Sequence, residues 1–118
     1  MRAGMLLLAA ALLAAGSGSA AVRAAGSGNL MNDRLLALPP ARQAQALGNS
    51  CRRGCVGVSA FPMGVTATGK GKGNAYWSVR CKNGKSYVVQ IAPDKKGTEI
   101  VADCKVLQGT GRECFKKF

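Results

Sequence analysis

Apolar and polar positions follow three different arrangements along this chain. Met5 to Ala15 is an unbroken apolar run. Between Asn32 and Gly48 the apolar positions Leu35, Leu36, Leu38, Ala44 and Leu47 recur with the uneven spacing of helices that pack on a sheet. From Val56 onward, short blocks rich in β-branched and aromatic residues alternate with clusters of Gly, Asn, Asp and Lys. In the middle region, Asn32 or Asp33 can cap a short helix that stops before Pro39. Pro40 can open a second helix, because the N–H it lacks is not needed in a first turn. Gly48, directly after Leu47, reads as the stop of that helix.

The C-terminal blocks predict strands. VGVSAFPMGVTAT, Val56 to Thr68, is strand-like in residue type but interrupted by Pro62 and Gly64, so it fits an edge strand or a strand followed by a bend. Gly69 to Asn74 (GKGKGN) reads as a loop. AYWSVRC, KNGK and SYVVQIAP then form a hairpin signature, with Asn83-Gly84 supplying the positive-φ turn. On the first strand Trp77 and Val79 share one face, while Tyr76, Ser78 and Arg80 share the other. DKKG turns into TEIVADCKVL, and QGTG turns into RECF. The expected fold class is α+β: an N-terminal helical segment packed on a three- to four-stranded antiparallel β-meander. Residues 32–118 form its single small domain and residues 25–31 a flexible linker.

The N-terminal run changes the picture of where this domain resides. Arg2 precedes the apolar stretch, and Gly16-Ser17-Gly18-Ser19 and a set of alanines follow it. A positive start, a short apolar middle and a small-residue end make a secretory signal peptide, residues 1–24. Cleavage after Ala20, Ala21 or Ala24 satisfies the small-residue requirement. A spanning anchor would need about 20 apolar residues, which this run reaches only by including Gly16 to Val22. No paired arginines precede the run, so ordinary unfolded export is expected, to a periplasmic or secreted location. With 118 residues before cleavage, the remaining core is near the lower size for unaided stability.

Five cysteines lie beyond the leader: Cys51, Cys55, Cys81, Cys104 and Cys114. In an oxidising compartment such residues cross-link small domains. Registering the hairpins puts Cys81 opposite Ser86 and Cys104 opposite Tyr87, which places the two thiols two strands apart on different faces. They cannot bond. Cys104 and Cys114 flank the QGTG turn and can meet, leaving Cys81 for Cys55 or Cys51. We take Cys104–Cys114 and Cys55–Cys81 as the expected pairs, with Cys51 as a possible free thiol.

The CRRGC stretch, Cys51 to Cys55, invites other chemistry. The chain has no histidine, which removes c-type haem attachment. Thioredoxin-like redox chemistry uses C-x-x-C at a helix start within a βαβ unit, and neither spacing nor context matches. Structural zinc favours paired C-x-x-C knuckles, which are absent. Arg52 and Arg53 would lower the pKa of a neighbouring thiol, so an exported thiol protein acting through Cys51 stands as the runner-up function. No metal and no cofactor are expected.

Charge points to partners. Cleavage removes only Arg2 and Arg23 from a net charge of +12, so the domain stays strongly basic and favours anionic partners. Candidate anion-binding residues are Lys70 and Lys72 of the GKGKG loop, Arg52, Arg53 and Arg80. GVTATGKG, Gly64 to Gly71, approaches a phosphate-binding loop, but Gly71 replaces the hydroxyl residue and strand-like sequence follows where a helix belongs. Tyr76 and Tyr87 beside Arg80 could stack bases, although core packing explains these few aromatics more simply, and nucleic acid is set aside as partner. For catalysis there is no histidine, and Asp33, Asp94, Glu99, Asp103 and Glu113 are scattered, with Asp103 nearest a sheet interior. A non-enzymatic role is expected.

LPPARQAQALG, AYWSVRC, the SYVVQI strand, the DC of ADCKVL and the final ECF together resemble a type of small exported proteobacterial protein, over Leu38 to Phe118. That resemblance implies no activity and no site residues. The strand–turn–strand look of Tyr76 to Leu107 also resembles half of a PepSY-type repeat. The expected function is an exported, disulfide-bonded basic domain that binds an anionic surface or partner in the cell envelope. Besides the Cys51 thiol protein, a basic inhibitor or accessory subunit of an acidic envelope protein is the remaining alternative.

Overall fold

A computed structural model describes residues 26–51 and 54–118. The signal peptide expected over 1–24 lies outside the described residues, as do Arg52 and Arg53. The chain forms helices α1 (Leu30–Leu36) and α2 (Pro40–Cys51), then strands β1 (Gly57–Val65), β2 (Ala75–Cys81), β3 (Ser86–Ile91) and β4 (Glu99–Asp103), and a 3₁₀ turn at Cys104–Leu107. The strands make one antiparallel sheet in the order β1-β2-β3-β4, a simple meander. This is the α+β fold expected, with both helices on one face. Among the described residues no helix is long and apolar enough to cross a membrane.

Helix α1 starts inside the stretch read as linker. Its N-cap is Asn29, whose side-chain oxygen accepts the Asn32 N–H at 3.1 Å. The same Asn29 amide donates to the Gly73 and Ile91 carbonyls, both at 2.9 Å, and its residue is fully buried. Asn32, expected as a cap, instead points into the core, where its Oδ1 accepts the Trp77 indole N–H at 2.7 Å. Residues 27–31 therefore belong to the fold.

Helix α2 runs past Gly48 to Cys51, so Gly48 is not its stop. Gly48 is buried, and a Cβ on it would come within 2.7 Å of the Gly57 nitrogen. A Cβ on Gly57 would in turn meet the Ala44 carbonyl. The two glycines let α2 lie directly on β1, backbone against backbone. Gly54, at φ 71°, carries the chain out of the helix region instead.

The core lies between the helices and the sheet: Leu35, Leu47 and Cys51 from above, Trp77, Val79, Tyr87, Val89 and Ile91 from below. The registers differ by one residue from the sequence reading, since Arg80 faces Ser86 and Asp103 faces Tyr87. Strand β1 is an edge strand with irregularities at Gly57/Ser59 and Pro62/Gly64, which suits a proline that cannot donate to a ladder. Cys55–Cys81 joins the chain just before β1 to the end of β2, with Cα atoms 5.1 Å apart. Cys104–Cys114 spans 6.0 Å. These are the two expected pairs, and Cys51 is reduced and buried.

The turn expected at residues 108–111 is present, but the strand expected after it is not. QGTG follows a 3₁₀ turn, and RECF forms no strand. Asp103 is not interior: it is exposed and caps the 3₁₀ turn, accepting the Lys105 N–H at 2.8 Å. The tail from Arg112 instead folds back across the sheet face that the helices leave open.

Candidate functional site

Strand pleating sends alternate residues of β2, β3 and β4 to the face away from the helices. There the registers build two rows: Tyr76, Gln90 and Ile100 in one, Ser78, Val88 and Ala102 in the other. The Tyr76 hydroxyl donates to Gln90 Oε1 at 2.9 Å, linking the two polar side chains of the first row. In the second row Val88 and Ala102 are apolar, and the Ser78 hydroxyl is taken up by the tail.

The C-terminal tail forms the wall. Cys104–Cys114 anchors it beside the end of β4. The Phe115 N–H donates to Ser78 Oγ at 2.8 Å, and the Phe118 N–H donates to the Met63 carbonyl at 3.1 Å. Phe115 sits at φ 65°, the one positive φ at a non-glycine among the described residues, a conformation that persists when surrounding contacts fix it. Arg80 stacks over the Phe115 ring at 5.0 Å. The Phe118 ring meets Tyr76 edge-on at 5.4 Å and carries the Arg112 guanidinium 4.0 Å above its centre.

Between the tail and the β4–3₁₀ segment a groove of about 470 Å³ opens, lined chiefly by Tyr76, Val88, Ile100, Ala102, Val106 and Phe118. That is within the range of about 300–1,000 Å³ typical of small-molecule sites. Arg112 is the single charged residue on its walls. Thr110, Arg112 and Phe118 also border a second hollow of about 480 Å³, whose other walls include Lys116, Lys117 and Glu113. An apolar trough thus runs into a mainly cationic recess.

The residues singled out from sequence lie elsewhere. Lys70 and Lys72 are exposed in the turn before β2, where only Gly71 between them reaches the groove. The turn leads into a strand, not a helix, as a phosphate-binding loop would require. Arg80 is exposed on the open face, engaged with Phe115. Tyr76 and Tyr87 occupy opposite faces, since Tyr87 is buried under the helices, so the two cannot form one stacking surface. Sequence reasoning missed Arg112, Lys116, Lys117 and Phe118. Their signal was the alternation of cations and aromatics in RECFKKF, there read as a strand.

Each carboxylate has a local partner. Asp33 accepts from the Ser27 hydroxyl at 2.7 Å, Glu99 from the Ser50 hydroxyl at 3.0 Å, and Asp103 caps the 3₁₀ turn. Asp94 accepts the Thr98 hydroxyl at 2.7 Å and the Thr98 N–H, and these bonds hold its carboxyl below the usual range. Glu113 pairs with Lys116 at 3.3 Å, the one ion pair among the described residues. No carboxylate lines the groove.

Cys51 is 4% exposed, and its thiol donates to the Leu47 carbonyl at 3.4 Å. Burial, followed by the negative charge of Glu99, pushes this thiol up. A nucleophilic thiol needs the opposite shift. The four cysteines a zinc site would need are already cross-linked.

No protein-family model matches the chain, and no curated protein or solved structure matches it.

Proposed function

We propose that this protein is an exported, non-enzymatic domain that holds on to an anionic surface in the cell envelope through its excess of lysine and arginine. One observation carries the reading: among the described residues a single ion pair forms, while four of the five carboxylates accept hydrogen bonds from hydroxyl or backbone groups. With 17 lysines and arginines against 5 carboxylates the net field stays positive, and among the described residues Lys116 alone is held in an ion pair, which leaves the other cations to a partner. Two disulfides fit an oxidising compartment. With no histidine in the chain and every carboxylate locally engaged, general acid–base chemistry has no obvious carrier.

Sedimentation with vesicles tests this. The oxidised protein, lacking residues 1–24, is expected to pellet with vesicles of anionic lipid and not with zwitterionic ones. Retention should fall steeply as salt shortens the Debye length from about 10 Å at 0.1 M towards about 3 Å at 1 M. Equal retention on both vesicle types, or indifference to salt, overturns the proposal. Stoichiometric capture of one acidic protein, with no vesicle binding, would favour the inhibitor or accessory-subunit reading. The thiol reading is the weakest of the three, since Cys51 is buried and its pKa is raised.

A further inference from the structure

We propose that the groove on the open sheet face, together with the cationic recess it runs into, is a binding site for one single-chain anionic amphiphile: the hydrocarbon chain lies along the floor and the anionic headgroup sits at Arg112, Lys116 and Lys117. The inference deepens the anionic-surface reading and rests on it. Charge complementarity chooses the occupant. Groove residues Val88, Ile100, Ala102 and Val106 offer apolar contact, and the Tyr76 hydroxyl is turned onto Gln90 Oε1. Such a trough suits methylene groups, each of which gains about 0.8 kcal/mol on burial.

At one end the polarity changes abruptly. Arg112 borders both hollows, and its guanidinium carbon lies 4.0 Å from the centre of the Phe118 ring with no carboxylate in ion-pair contact. A guanidinium resting on a ring face keeps its edge N–H groups available to a carboxylate or phosphate. Lys116 and Lys117 line the same recess, where Glu113 pairs with Lys116 at 3.3 Å and leaves Lys117 without an ion-pair partner. A second copy of this chain would bring like charge to the site, and a neutral apolar peptide would leave Arg112 unanswered. Ile100, Val106 and Phe118 are 61%, 56% and 49% exposed, a concentration of large apolar side chains beside cations that an amphiphile would cover.

Titration calorimetry on the oxidised protein lacking residues 1–24 tests the inference, with dodecanoate and dodecyl phosphate below their micelle-forming concentrations. Acetate and dodecyltrimethylammonium serve as controls for headgroup and chain. The two anionic amphiphiles are expected to bind one per chain and the controls not to bind, with amide shifts at Tyr76, Val88 and Ala102 locating the site. Arg112→Gln should weaken binding about tenfold, as loss of a charge-assisted contact does. Ala102→Trp fills the trough without changing charge, and Ile100→Gln makes its floor polar. Both should abolish amphiphile binding while salt-sensitive retention on anionic vesicles persists. Dodecanoate binding no tighter than acetate, equal binding of the cationic amphiphile, or full binding by Ala102→Trp and Ile100→Gln overturns the site. Loss of vesicle retention by the unaltered protein would instead overturn the charge reading, so the two failures are read separately.

Discussion

Two buried asparagines fix how the N-terminal segment meets the sheet. Asn29 caps α1 and also ties it to the Gly73 and Ile91 carbonyls, 44 and 62 residues away in sequence. Asn32 is one turn further on, accepting the Trp77 indole N–H within the core. Asn32→Leu keeps the branched side-chain outline at a larger volume and strands that N–H, so it should destabilise the fold by about 1–3 kcal/mol, measured as a lower urea midpoint with unchanged slope. A truncation at the exposed hairpin residue Asn83 should change the midpoint by less than half as much. These roles were not legible beforehand: local sequence offered Asn32 or Asp33 as the cap and left Asn29 in the linker, and what separates them is partners contributed by distant strands. Trp77 and Val79 were legible as one face because pleating alone decides that.

Elements, too, were read correctly where a local rule suffices and wrongly where a close approach decides. Asn83-Gly84 forces a hairpin from its own geometry, and the structure has it, with Gly84 at φ 88°. Gly48 looked like a helix stop because most glycines after an apolar helical run are. Here it exists for contact, since α2 and β1 touch through Gly48 and Gly57. Gly57→Ala drives a methyl group into the Ala44 carbonyl and should cost about 3 kcal/mol, read from thermal or urea unfolding. Gly54→Ala, where φ is 71° and no atom lies within 4 Å of the new carbon, should cost only the left-handed penalty of about 1–2 kcal/mol. A reversed order would show that α2 does not rest on β1 as described. RECF misled for a related reason: four residues cannot establish a strand period, and the 3₁₀ turn begun at Asp103 redirects the chain first.

For the molecule as a whole, the meander and the two cross-links were accessible from turn signals and register, even though the register was one residue out. The groove was not, because it appears only when the tail folds back over a face left uncovered by two short helices. The cross-links divide the work. Cys55–Cys81 closes 26 residues inside the core, and Cys104–Cys114 closes 10 at the periphery. In the chain-entropy model they contribute about 3.5 and about 3 kcal/mol, large shares of a typical total of about 5–15 kcal/mol. Replacing Cys55 and Cys81 together by alanine should lower global stability and amide protection throughout the sheet. Replacing Cys104 and Cys114 together should release the Phe115 and Phe118 amides to rapid hydrogen exchange while Trp77 and Val89 stay protected. Uniform loss in both variants would mean that the tail is integral to the core.

Because the Cys104–Cys114 bond anchors one side of the trough, the trough is completed by a chemical event and not by folding alone. With those two thiols reduced, the second wall would hang on the Phe115 and Phe118 amide bonds alone. Occupancy of the trough would then follow the oxidation state of one sulfur pair.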